Sequence, residues 1–278
     1  MTNVLVPTDF SENAWNAISY GVQFFKAEPT NFYLLHVGQL PGKDSNEILA
    51  ANSIVFGFNH TEDILEKLQE TSNRIEKEFP NTRHKFYAVQ EHSFFIDGVK
   101  KSIDEFGIDF VLMGTKGASG LKEVTVGSKT GEVITRVKCP ILVIPERAEY
   151  KVPKKIVFPT DFNSYYKNKV LLTLAELLAI NDSFLHVLHM TQNSNELSEV
   201  QKENKDFLAD FLEGKPHRFH LVDGEKMVDI LADFIEENKI DMITMVAKNI
   251  NFFQRLLFKP SVAKISYHTK IPFLVLHE

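Results

Sequence analysis

A chain of 278 residues with 44% apolar and 24% charged side chains has globular composition and enough length for two domains of ordinary size. The net charge of -6 disfavours non-specific attraction to nucleic acid or an anionic membrane, and the single cysteine, Cys139, excludes an internal disulfide and a Cys-x-x-Cys metal knuckle. No apolar run approaches the roughly 18 residues of a spanning helix, and no leader is expected ahead of a first strand that opens at about Asn3, so a cytoplasmic protein is expected.

In chain order, Val4–Val6 reads as a short apolar strand, followed by Ala14, Ala17, Ile18, Val22 and Phe25 at helical spacing. Ser11 suits the N-cap of that helix, because its hydroxyl can accept an orphan backbone N–H. Phe32–Val37 is the second strand. A second helix, entered from Thr61 with Glu62 and Asp63 favourable to its dipole, is marked by Ile64, Leu65, Leu68, Ile75 and Phe79. Phe86–Val89 is a third strand, and Ile96, Val99, Ile103 and Phe106 line a third helix. Phe110–Met113 and Ile141–Ile144 are the fourth and fifth strands, with a helix between them.

The same pattern is then written a second time. Asn3–Phe10 (NVLVPTDF) recurs as Lys155–Phe162 (KIVFPTDF), and Ile108–Glu146 aligns without a gap on Ile240–Glu278. The copies imply a domain over residues 1–146, a charged, proline-bearing linker over 147–154, and a second domain over 155–278. The first copy is the longer, and Gly38–His60 is the expected insertion, a lid or packing arm. Apolar strands alternating with amphipathic helices imply a parallel sheet covered on both faces, and right-handed crossovers restrict it to a doubly wound, Rossmann-like form.

Ligands of such sheets bind beyond the carboxyl ends of the strands, where strand order reverses. Two segments qualify: Pro7-Thr8-Asp9 after strand one, and Gly114–Thr130 after strand four, with glycines at 114, 117, 120 and 127. Gly127-Ser128-Lys129-Thr130 would present N–H groups and hydroxyls at a helix N-terminus, which suits a phosphate. The spacing is not that of a P-loop, nor of the dinucleotide fingerprint, since these glycines follow strand four. On generic grounds a flexible surface loop is an equally open reading.

Gly114-x2-Gly117-x9-Gly127-Ser128, the opening VLVPTDFS, Leu34-Leu35-His36-Val37 and Cys139-Pro140-Ile141-Leu142-Val143-Ile144-Pro145 together resemble the universal stress protein family over nearly the whole chain, twice. The resemblance implies two tandem Rossmann-like α/β domains, each a five-stranded parallel sheet of order 3-2-1-4-5 with helices on both faces. It implies an adenine nucleotide (ATP, ADP or AMP, with Mg²⁺) at the first domain. Pro7, Thr8, Asp9 and the backbone of Val37 would hold the adenine–ribose end, and Met113 and Gly114 would flank the ribose. Gly117, Gly127, Ser128, Lys129 and Thr130 would surround the phosphates. Lys129 stands where the family is often apolar, so its ammonium either adds charge to the phosphates or points to solvent.

In the second copy Gly114, Gly117, Gly127 and Ser128 become Val246, Asn249, Lys259 and Pro260. Side chains return where close approach is needed, and proline lacks the N–H a phosphate would use, so this copy reads as degenerate. His186 and His189 lie three apart in a strand and face opposite sides, as do His217 and His220, so neither pair chelates. No nucleophile has a base beside it, so no catalytic residue is assigned. A stress-response regulator, a nucleotide-free scaffold and a slow ATP hydrolase stay open as functions, with an unidentified protein partner. Both fifth strands are short, apolar and opened by proline, and in the 3-2-1-4-5 order each is an edge. They are expected to pair as an intrachain pseudo-dimer, leaving another surface for any homodimer.

Overall fold

The structure, a computed structural model, describes residues 1–38, 53–115, 128–163, 165–191, 196–224, 227–247 and 270–277, with backbone alone at 53–62, 128 and 227–228. The first repeat runs β1 (Thr2–Pro7), α1 (Glu12–Phe24), β2 (Thr30–Gly38), α2 (Ser53–Glu78), β3 (His84–His92), α3 (Phe95–Phe106), β4 (Phe110–Gly114), α4 (Ser128–Arg136) and β5 (Ile141–Ile144). The second runs β6 (Lys155–Thr160), α5 (Asn168–Asn181), β7 (Phe184–Thr191), α6 (Glu199–Phe211), β8 (His217–Asp223), α7 (Met227–Asn238), β9 (Met242–Val246) and β10 (Phe273–Leu276).

Among the described residues all strands form one sheet of order β3-β2-β1-β4-β5-β10-β9-β6-β7-β8. Within each repeat neighbouring strands are parallel, while β5 and β10 meet antiparallel, with Leu142 opposite Leu274. The expected pairing of the fifth strands is therefore present within the chain. Alternation along each strand divides the core between the two faces. Val4 and Val6 belong to the layer that includes residues of α1, α2, α5 and α6, while Leu5 belongs to the layer that includes residues of α3, α4 and α7. Both layers cross the β5–β10 seam, through Leu142 and Leu274 on one face and Val143 and Phe273 on the other.

Ser11 caps α1, its hydroxyl accepting from Ala14 N at 3.3 Å. Helix α2 differs from expectation: it starts at Ser53 rather than near Thr61, so residues 53–60 of the supposed insertion are its first turns. The remainder of that insertion, residues 39–52, lies outside the described residues. Each repeat start is fixed by an aspartate before its fourth strand: Asp109 accepts from Asn3 N at 2.9 Å, and Asp241 from Lys155 N at 3.0 Å. The connecting segment is held by Asn16, whose amide donates to Pro145 O at 3.1 Å and Ala148 O at 3.2 Å.

Candidate functional site

Strand β1 has β2 on one side and β4 on the other, so the crossover direction reverses between β1 and β4. Helices leaving opposite faces part there, which opens a crevice at the carboxyl edge. The register pairing Leu5 with Val111, continued up the strands, brings Pro7 level with Met113. The Pro7–Asp9 turn and Gly114 thus share one edge.

The turn is built by short polar bonds. Thr8 N donates to Leu35 O at 2.8 Å, prolonging the β1–β2 ladder by one residue. The Thr8 hydroxyl accepts from Phe10 N at 3.1 Å, and Asp9 Oδ1 accepts from Ser11 N at 3.1 Å and from Ser11 Oγ at 2.6 Å. These bonds turn the chain through Phe10, whose φ of 63° is left-handed and costly for a residue bearing a Cβ. The Phe10 ring stacks on His36, with centroids 5.1 Å apart, and His36 Nδ1 donates to Thr8 O at 3.0 Å.

On the other wall, Thr115 N donates to Ile144 O at 3.0 Å, and Thr130 Oγ1 donates to Gly114 O at 2.8 Å. This second bond ties the first turn of α4 to the end of β4, so the N-terminal N–H groups of α4 open beside the crevice. Lys129 is exposed, and its Nζ lies over the Phe95 ring, 5.1 Å from the centroid, so it leans toward α3. Val37, next to last in β2, lies under the first turn of α3, where a Cβ on Gly98 would come within 3.1 Å of Val37 Cγ2. Helix α3 lies that close because residue 98 has no side chain. Gly117 and Gly127 lie outside the described residues, and Ser128 is described only as the first residue of α4. Among the described residues no cluster of three or more His, Cys, Asp or Glu could hold a metal ion, and no helix is long and apolar enough to cross a membrane.

The model of the universal stress protein family matches residues 1–145 and again 153–277. The chain belongs to that family. It is similar to a universal stress protein of Methanocaldococcus jannaschii, 28% identical over 153 residues, or 52% of this chain and 94% of that protein. It is also similar to one of Bacillus subtilis, 25% identical over 152 residues, or 51% of this chain and 97% of that one. Each of these relatives matches about half of the tandem chain. A universal stress protein from Archaeoglobus fulgidus has the same fold over both repeats, with 16% identity, a TM-score of 0.68, and coverage of 99% of this chain and 98% of that one.

In this tandem universal stress protein the second repeat rebuilds the turn almost bond for bond. Asp161 Oδ1 accepts from Asn163 N and Thr160 Oγ1 from Phe162 N, both at 3.0 Å, and Phe162 again has a left-handed φ, of 53°. Phe162 stacks on His189 at 4.8 Å, and His189 Nδ1 donates to Thr160 O at 3.0 Å. Burial pushes the His189 pKa down, against that bond. What differs is the surroundings. Tyr166 shares a hydrogen bond with Thr160, and α6 lies over the turn, with Gln201 Nε2 donating to Asp161 O at 2.8 Å and Asn204 Nδ2 to Phe162 O at 2.7 Å. At the end of β9 stands Val246, packed against the core, where β4 ends in Gly114. Asn249, Lys259 and Pro260 lie outside the described residues.

Sequence reasoning passed over His36 and treated His189 only as a failed chelator. The signal was available: a histidine in the second strand follows Pro-Thr-Asp-Phe in both copies. The expectation that His186 and His189 face opposite ways holds, since His189 packs on Phe162 while His186 packs on His220 and Phe234. Cys139 is buried beside Ile108 O, and burial pushes its thiol up to about 12, so it is inert.

Proposed function

We propose that the first repeat, residues 1–146, binds one adenine nucleotide, and that the second, residues 155–278 beyond the 147–154 linker, is a degenerate copy without a nucleotide. One observation carries the reading: the Pro7–Asp9 turn, Gly114 and the α4 N-terminus converge on the β1/β4 switch crevice, with Thr130 bonded to Gly114 O at 2.8 Å. A phosphate group there gains the positive dipole end of α4 and the N–H groups of its first turn. Gly114, lacking a Cβ, lets the ribose approach the end of β4 beside Met113, whereas Val246 would block that approach in the second repeat.

Asp9 and the Val37 backbone hold the adenine–ribose end, with Pro7 and Thr8 forming the wall, and Gly117, Gly127, Ser128, Lys129 and Thr130 enclose the phosphates. The described residues of Lys129 and Phe95 favour a backbone role for residue 129 over a charge on the phosphates. Mg²⁺, where present, arrives on the nucleotide phosphates. In this reading nucleotide occupancy tunes binding to a partner in a stress response, and no dedicated turnover is assigned to the chain. Calorimetric titration with ATP, ADP and AMP tests it: one site per chain is expected. Absence of binding, or two equivalent sites, overturns it.

A further inference from the structure

Helix α4 is held at both ends, and by different repeats. At its start, Thr130 Oγ1 donates to Gly114 O at 2.8 Å, a contact inside the first repeat. At its finish the partner comes from the second repeat: His277 Nε2 lies 2.8 Å from Ile134 O. A carbonyl can only accept, so this nitrogen carries the proton. Ile134 is among the last residues of α4, whose carbonyls run out of intrahelical partners; Val133 O still accepts from Val137 N at 2.9 Å. Both residues are buried, so water does not substitute for the imidazole. A donor at a helix C-terminus also faces the negative end of the dipole, which favours it further.

The antiparallel seam is what brings the two groups together. Phe273 faces Val143 and Val275 faces Ile141, so the finish of β10 arrives at the start of β5, and that is where α4 has just ended. A parallel seam would have carried His277 to the far edge. The device runs one way. In the gapless alignment of the repeats His277 corresponds to Pro145, whose side chain has no donor to offer the other repeat.

We propose that His277 is a positioning residue for the first-repeat ligand site: the second repeat, through the imidazole of His277, sets the α4 helix whose N-terminus faces the switch crevice. The inference rests on the nucleotide reading above for its ligand. It gives the degenerate repeat a role that needs no site of its own. Coupling of this kind is reciprocal, so a ligand that fixes α4 also steadies β10.

The test uses the full chain with ATP as probe. His277→Ala leaves Ile134 O buried without a donor and is expected to weaken ATP binding at least about fivefold, the low end of ordinary coupling between sites. His277→Gln, whose amide can donate from a similar reach, is expected to stay within about twofold of the wild type. A folded His277→Ala chain with wild-type affinity, or a Gln variant as weak as Ala, overturns the proposal. Wild-type hydrogen exchange gives an arm without any variant: ATP must slow the Leu274 and Leu276 amides of β10 along with those of α4. Slowing confined to the first repeat overturns the coupling. Should the wild-type chain bind no ATP, the nucleotide reading falls alone. The clamp is then judged on the exchange of the 132–137 amides, which His277→Ala must accelerate and His277→Gln must not.

Discussion

Gly21 lies on α1 where the helix crosses β4, and an added Cβ would fall 2.2 Å from Leu112 Cδ2 and 3.3 Å from Leu112 Cγ. Leu112 is fully buried, two residues before the end of β4 at Gly114, so its methyls have nowhere open to go. Gly21→Ala gains about 1 kcal/mol of helix propensity and loses about 1–3 kcal/mol to overpacking, for a net loss of up to about 2 kcal/mol. Leu112→Ala alone costs about 2–5 kcal/mol through the cavity it leaves. The alanine methyl at 21 points into that cavity, so the double variant is expected to be more stable than the sum of the two losses predicts, by at least about 1 kcal/mol. Trp15, the one tryptophan of the chain, sits in α1 and reports this transition by fluorescence during urea unfolding. The thermal midpoint should follow at about 2–4 °C per kcal/mol. Additivity within about 0.5 kcal/mol would mean that α1 and β4 do not meet through these two residues.

Gly127→Val is expected to abolish ATP binding while leaving the melting temperature of the ligand-free chain within about 2 °C of the wild type, because a β-branched residue just before α4 obstructs a phosphate and resists a positive φ; unchanged affinity in a titration would remove residue 127 from the site. His186 and His220 share a hydrogen bond of 3.0 Å, and burial, then the charges of His220, Lys155 and Arg218, lower His186 from 6.5 to about 4. The unfolded chain takes up that proton first, so stability is complete above pH 6.5 and declines as pH falls toward about 4, and His186→Phe should flatten this slope; parallel pH profiles for the two chains would contradict it. Asp9→Ala and Asp161→Ala should each lose about 1–3 kcal/mol in denaturant melts, because each breaks a charge-assisted turn. Only Asp9→Ala should weaken ATP binding, and an equal effect of both on affinity would be fatal to a single first-repeat site.

The repeat was legible because it was written in strands and in the Pro-Thr-Asp-Phe turn, where side-chain identity follows directly from burial and local hydrogen bonds. Val4, Leu5 and Val6 are apolar in a row because both faces of β1 are covered, which is also why the sheet could be read as parallel. The start of helix α2 was not legible because Thr61-Glu62-Asp63, which resembles a helix start, lies inside the helix more than two turns after Ser53. The His277–Ile134 contact was not legible for another reason. It joins residues brought together by the antiparallel seam, and neither spacing nor propensity encodes that proximity. Lys129 is ambiguous in sequence because its two readings differ only in the direction of a flexible chain; in the structure it is exposed and leans over Phe95.

The duplicated chain carries its own control for what the turn after β1 is evidence of. Thr160, Asp161, Phe162 and His189 reproduce the bonds, the left-handed φ and the stacking of Thr8, Asp9, Phe10 and His36, although α6 and Tyr166 cover the second copy. Geometry that persists under a cover cannot be maintained by a ligand in that place. The bonds from Thr8 and Asp9 to the backbone are therefore sufficiently explained by folding: they turn the chain sharply from a buried strand into a helix and satisfy the N–H groups at positions 10 and 11. Evidence for a ligand has to come from what the two copies do not share. Among the described residues that difference is Gly114 against Val246 at the end of the fourth strand, and in the sequence Thr130, which binds back to Gly114 O, is replaced by Val262. A site argued from Asp9 alone would apply equally to Asp161. A site argued from Gly114 and the start of α4 applies to one repeat only, and that asymmetry is what a titration counting sites per chain reads directly.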